Sequence, residues 1–169
     1  MRTVLITGAS SGFGTAAARR FAALGDRVIA AARRTERLTE LARELGPEVV
    51  LPLTLDVRDR ASVERLPAEL PPDFAAVDIL VNNAGLALGL EPAQEADVGQ
   101  WEQMIQTNCT GLVYVTRAFL PQMVARGRGH VVNLGSIAGT YPYPGGNVIE
   151  LMPVSQSFAP FQVQRGASR

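Results

Sequence analysis

The chain has 169 residues, 47% hydrophobic and 19% charged, which is enough for one domain with a real core and is ordinary for a water-soluble protein. Sixteen basic and sixteen acidic residues cancel, which removes any charge-based case for nucleic acid or an anionic membrane as partner. All the basic residues are arginine, and the single Cys109 excludes an internal disulfide framework.

Short β-branched runs at residues 3–6, 27–31, 49–55, 77–82 and 130–134 predict strands. They are almost wholly apolar, as strands covered on both faces are. Between them, residues 12–24, 35–45, 60–70 and 97–126 set Glu, Gln, Arg and Ala on the polar side of a helical period. Strand then helix, repeated, implies parallel βαβ units and an open, doubly wound α/β sheet. The composition changes after residue 139, where TYPYPGGN packs two Pro and two Gly into eight residues and predicts a loop. Cys109 is read as a small buried apolar side chain in a reducing compartment. The N-terminal MRTVLITGAS is too short an apolar run for a signal peptide, and no stretch approaches the ~18 apolar residues of a membrane span. The expected location is cytoplasmic.

The first strand runs into TGASSGFG, residues 7–14, and then directly into a helix pattern. Glycines there let the backbone turn tightly and approach a pyrophosphate, whose charge suits the free amides and positive end of the helix that follows. Gly8, Ala9, Ser10, Ser11, Gly12, Phe13 and Gly14 are therefore candidate dinucleotide contacts, the alternative being a turn without a ligand. Beside the second strand, Arg33 and Arg34 stand where such a sheet presents the adenosine ribose. An acidic residue there suits a 2′-hydroxyl and a guanidinium suits a 2′-phosphate, so the expected cofactor is NADP. The alternative is two solvated arginines at the mouth of a helix. Asp56, followed by Val57, ends the third strand and is a candidate acceptor for the adenine amino group, although Asp is also common in turns.

TGASSGFG, the LDV of residues 55–57, the NNAG of 82–85 and the VVNLGS of 131–136 occur in order. With these motifs the chain resembles the short-chain dehydrogenase/reductase family from residue 1 to about 148. VNNAGLALG and GSIAGTYPYPGGNV are most similar to its bacterial NADP-dependent 3-hydroxy acid dehydrogenases, also described as serine or allo-threonine dehydrogenases. The resemblance implies a Rossmann-type fold and hydride transfer between NADP and a small 3-hydroxy acid or hydroxy amino acid. In that chemistry a tyrosine is the acid/base, and a lysine lowers its pKa and holds the nicotinamide ribose. A serine orients the substrate oxygen, and an asparagine supports a water relay. Ser136 carries over as the serine, Asn108 as the asparagine and Asn83 as a cofactor contact. The plainer readings are a strand-end turn residue for Ser136 and a helix-kink residue for Asn108. The resemblance also implies a homo-oligomer built through the helix 97–126 and the catalytic helix, and no metal.

The tyrosine is due thirteen residues after the serine and the lysine four residues beyond it, where this chain has Ile149 and Pro153. Neither moves a proton. Tyr141 and Tyr143 lie nearby in the Pro-rich loop, but the chain contains no lysine to assist them. Residues 149–165, IELMPVSQSFAPFQVQR, are similar to the last strand and tail of the same subgroup, whose members run to roughly 250 residues in one domain. The expectation is a Rossmann-type sheet truncated after its fifth strand. An incomplete NADP-binding domain, residues 1–148, is joined near Asn147 and Val148 to a C-terminal strand and tail, residues 149–169.

Overall fold

The computed structural model describes residues 1–136. The Pro-rich loop, the join near residue 148, the expected strand beyond it, and Ile149 and Pro153 lie outside the described residues. The elements alternate throughout: β1 (Thr3–Thr7), α1 (Gly12–Ala23), β2 (Arg27–Ala32), α2 (Thr35–Leu45), β3 (Val50–Thr54), α3 (Arg60–Glu69) and β4 (Val77–Asn82). They continue with α4 (Val98–Ile105), a π-helical segment (Gln106–Gly111), α5 (Leu112–Ala125) and β5 (His130–Asn133). The five strands form one parallel sheet in the order β3-β2-β1-β4-β5. This is the Rossmann-type doubly wound arrangement.

Period-two alternation in the strands builds the two layers of core. Val4 and Ile6 of β1 share a face with Val28 and Ala30 of β2 and pack on Ala18 of α1 and Leu38 and Leu41 of α2. Leu5, Ile29 and Leu80, which sit level with one another across the sheet, face the other way. They pack on Val63 and Leu66 of α3 and on Val115, Phe119 and Met123 of α5. A central strand with both faces covered is buried along its whole length, and all five residues of β1 are buried, the apolar Val4, Leu5 and Ile6 between two hydrogen-bonded threonines. β3 is the open edge, where burial alternates and Pro52 is tolerated.

The sequence predicts one helix over residues 97–126, and the structure interrupts it at Gln106–Gly111. The cause lies outside the helix. The Asn108 amide accepts from the Leu86 N–H at 2.9 Å and donates to the Leu86 carbonyl at 2.8 Å. Tethering that side chain to the loop after β4 draws out an extra residue, and the turn widens to the π form.

At the opposite end of the sheet, Asp26 joins β1 to β2. Its nearly buried carboxylate accepts from Arg2 Nε at 3.0 Å, from the terminal guanidinium nitrogen at 2.6 Å and from the Arg2 backbone at 3.3 Å. The Arg2 hydrogen bonds hold the Asp26 carboxyl below the usual carboxylate range, against burial, which pulls it up. A depressed pKa in the folded state contributes stability that is present above the unfolded value, about 3.9, and lost as pH falls through the folded one. Denaturant unfolding of wild type and Asp26→Asn between pH 5 and 2 should therefore show the steeper acid loss in wild type. Parallel slopes would remove Asp26 as a contributor.

Candidate functional site

β1 is flanked by β2 on one side and β4 on the other, so the loops that leave β1 and β4 diverge and open a crevice at the C-terminal ends of the strands. A cavity of about 290 Å³ occupies it. Gly8, Ser10, Ser11 and Phe13 from the turn after β1 make one wall, and Ala32, Arg33 and Arg34 at the end of β2 make the next. Leu55, Asp56 and Val57 follow β3, and Asn83 to Leu86 with Thr107 close the far side.

Thr7 ties the two central loops together. Its hydroxyl oxygen accepts from the N–H groups of Asn83 and Ala84, each at 3.0 Å, while the Asn83 amide nitrogen donates to the carbonyls of Thr7 at 2.9 Å and Gly8 at 3.2 Å. This cross-link fixes the turn against β4. It leaves no room for side chains at two glycines. Gly8 has φ +67, and a Cβ there would lie 2.9 Å from the Ala84 Cα. A Cβ on Gly14 would overlap the Gly8 carbonyl, so the start of α1 sits directly on the turn.

The charged rim is organised by hydrogen bonds of its own. Arg34 donates from Nε to the Ser10 hydroxyl at 3.1 Å and from its terminal nitrogen to the Ser11 hydroxyl at 2.7 Å. Arg33 is exposed and makes no hydrogen bond to another described residue. Opposite them, the Asp56 carboxyl is held below its ordinary range, chiefly by hydrogen bonds from the Arg58 side chain. Burial opposes that shift, and the Arg58 backbone N–H and the charges of Arg58 and Arg33 add to it.

Of the residues singled out in the sequence, the cavity gathers Gly8, Ser10, Ser11, Phe13, Arg33, Arg34, Asp56, Val57 and Asn83. Gly12 and Gly14 do not line it: Gly12 turns the backbone at φ +54 in the open, and Gly14 packs against the Gly8 carbonyl. Ala9 faces the core with its N–H on the Ala31 carbonyl at 3.1 Å. Asn108 sits in the π segment on Leu86, and Ser136 stands exposed beyond β5; neither lines the cavity. Two residues that the sequence did not mark are Thr107 and Arg58. The Thr107 hydroxyl is buried without a partner among the described residues, and Arg58 grips Asp56 from outside the wall. Both adjoin marked positions, which is the only signal the sequence offers for them.

A family model described as short chain dehydrogenase matches residues 2–148. The chain belongs to the short-chain dehydrogenase family. Within the family, the NADP-dependent 3-hydroxy acid dehydrogenase YdfG of Salmonella typhi is 59% identical over 145 residues, 86% of this chain and 58% of that protein. Sulfoacetaldehyde reductase 2 of Chromohalobacter salexigens is 56% identical over 147 residues, with the same two shares. The solved closed form of serine dehydrogenase complexed with NADP+ superposes with a TM-score of 0.84 at 57% identity, covering 86% of this chain and 58% of that one. The chain thus spans less than two thirds of the curated relatives it matches. Relatives named for different substrates are almost equally similar over the shared stretch, so that stretch does not separate their substrates. No helix among the described residues is long and apolar enough to cross a membrane, and no group of His, Cys, Asp and Glu among them is arranged to hold a metal.

Proposed function

We propose that residues 1–148 are the NADP-binding domain of a short-chain dehydrogenase, that residues 149–169 add a C-terminal strand and tail, and that this polypeptide holds the adenosine half of NADP without transferring hydride. The observation that carries the reading is the rim built by Arg33, Arg34, Ser10 and Ser11. Because Arg34 donates into both serine oxygens, each hydroxyl keeps its own proton to donate, and the rim presents guanidinium N–H and O–H groups together. That donor set matches a phosphate monoester, which is all acceptor, and fits the 2′-phosphate that distinguishes NADP from NAD. Close packing at Gly8 and Gly14 sets the turn against Asn83 and Ala84 with the start of α1 directly on it, which supports a pyrophosphate held at that helix start.

When bound, NADP supplies the hydride acceptor of the family reaction at its nicotinamide ring. On the substrate side, Ser136 has the role of orienting the oxygen of a small 3-hydroxy acid or hydroxy amino acid, and Asn108 that of holding a water relay. With Ile149 and Pro153 in place of the acid/base pair, the alcohol proton has no acceptor.

A competition titration tests the reading. With binding energy concentrated at the adenosine end, 2′,5′-ADP should displace NADP with an affinity within about threefold of NADP itself, whereas nicotinamide mononucleotide should not compete. A much tighter grip on NADP than on 2′,5′-ADP would overturn the reading, as would failure of either to bind. A second reading, assembly with an intact relative, is favoured by the exposed Val98, Ile105 and Val113 along α4 and α5. Solution mass of the chain with and without such a relative separates the two.

A further inference from the structure

The geometry points to Arg58 as a positioning residue for the nucleobase: it locks the Asp56 carboxylate so that the cavity meets a fixed acceptor, which selects a base carrying an exocyclic amino group over one carrying a carbonyl. This rests on the nucleotide-binding reading above.

Asp56 lines the cavity and Arg58 does not, so the guanidinium approaches the carboxylate from the outer side of the wall. Its contacts are unusually complete for residues two apart in sequence. The Arg58 backbone N–H donates to Oδ1 at 3.0 Å, Nε is shared between Oδ1 at 3.0 Å and Oδ2 at 3.1 Å, and the terminal nitrogen donates to Oδ2 at 2.6 Å. The turn that carries them is closed by the Asp59 N–H on the Asp56 carbonyl at 3.0 Å. Asp59 then caps α3 through the Ser62 N–H at 3.2 Å, so the lock is anchored to a helix start.

An ionised carboxylate has about four acceptor positions. Arg58 contacts each oxygen twice, Nε being shared between them, so its donors take up the outer side of the carboxylate and only the edge facing the cavity stays open as an acceptor. Free rotation about the bond to the carboxyl carbon would blur that vacancy, and the planar fork prevents it. Side-chain exposure of 32% for each partner places the pair in partial contact with solvent, where an ion pair adds little to folding stability. Orientation is the property that the arrangement controls. Against a fixed acceptor, the 6-amino group of adenine finds a partner, while the 6-carbonyl of hypoxanthine sets acceptor against acceptor and leaves both unpaired.

The test uses the full 169-residue chain with two probes, NADP and its deaminated analogue carrying hypoxanthine, titrated against wild type, Arg58→Met and Arg58→Lys. Wild type should prefer the adenine form by about tenfold, the usual scale of one hydrogen bond to a charged group. Arg58→Met should compress that ratio to about twofold, mainly by weakening NADP, and Arg58→Lys, which keeps the charge and loses the fork, should fall between. If Arg58→Met does not fold, the Arg58→Lys ratio alone decides. A merely structural role would weaken both probes together and leave the ratio unchanged, which overturns the inference. Equal binding of both probes to wild type overturns it too, with the nucleotide-binding reading intact. Binding of neither probe removes that reading and this inference together.

Discussion

Incubated with NADP and L-serine, L-allo-threonine or 3-hydroxypropionate, the chain is expected to form no measurable NADPH under conditions where an intact relative turns over readily. The physical reason is local and does not depend on the fold failing. Hydride leaves an alcohol carbon only as the hydroxyl proton is taken, and general acid/base assistance to that transfer is typically worth 10² to 10⁴ in rate. Ile149 and Pro153 offer no titratable group, and with no lysine in the sequence nothing lowers the pKa of Tyr141 or Tyr143 in the way the family chemistry requires. Single-turnover absorbance at saturating cofactor gives the measurement. Turnover within about tenfold of an intact relative would mean that one of these tyrosines has been recruited, and Phe substitution at each would identify it.

What the sequence reveals of the fold follows from how local the determining physics is. β1 is buried at every position because both of its faces are covered, and its apolar centre VLI is read as a buried strand without knowledge of its neighbours. The break in the long helix is a different case. Nothing in QTNCTG itself forbids an α-turn; the widening depends on Asn108 reaching Leu86, twenty-two residues earlier in the chain, and no periodicity reports that contact. The site divides along the same line. Glycines of the first turn are legible because the requirement is steric and short-range, as the overlap at Gly14 makes plain. The role of Thr7 is not legible: it opens the TGASSGFG motif, yet nothing local reports that its hydroxyl receives two backbone amides from the loop after β4. Arg58 is hidden for another reason. An Asp and an Arg two apart in a polar turn look like solvated surface, and only the placement of Asp56 on the cavity wall gives the pairing a consequence.

Replacing both Arg33 and Arg34 with alanine is expected to weaken NADP binding about 100-fold while changing NAD binding by no more than about threefold. A hydrogen bond to a charged group contributes roughly 1.5 to 3 kcal/mol, and both arginines are solvent-exposed, so the pair is taken near the low end, about 2.7 kcal/mol, or two powers of ten. The single variants should differ. The Arg33 side chain makes no hydrogen bond to another described residue, so Arg33→Ala should weaken NADP and leave NAD nearly unchanged. Arg34 also holds the hydroxyls of Ser10 and Ser11, so Arg34→Ala should loosen the turn and weaken NAD slightly as well. Raising the ionic strength gives an independent readout, since contacts between exposed charges are screened over a Debye length of about 8 Å at physiological salt. NADP affinity in wild type should fall with added salt more steeply than NAD affinity, and the double variant should lose that difference. A double variant that still prefers NADP, or a wild type that prefers NAD, would overturn the phosphate-binding role of Arg33 and Arg34. The serine hydroxyls left in place by the double variant would be the first groups to change next, because they alone of the rim's donors would remain.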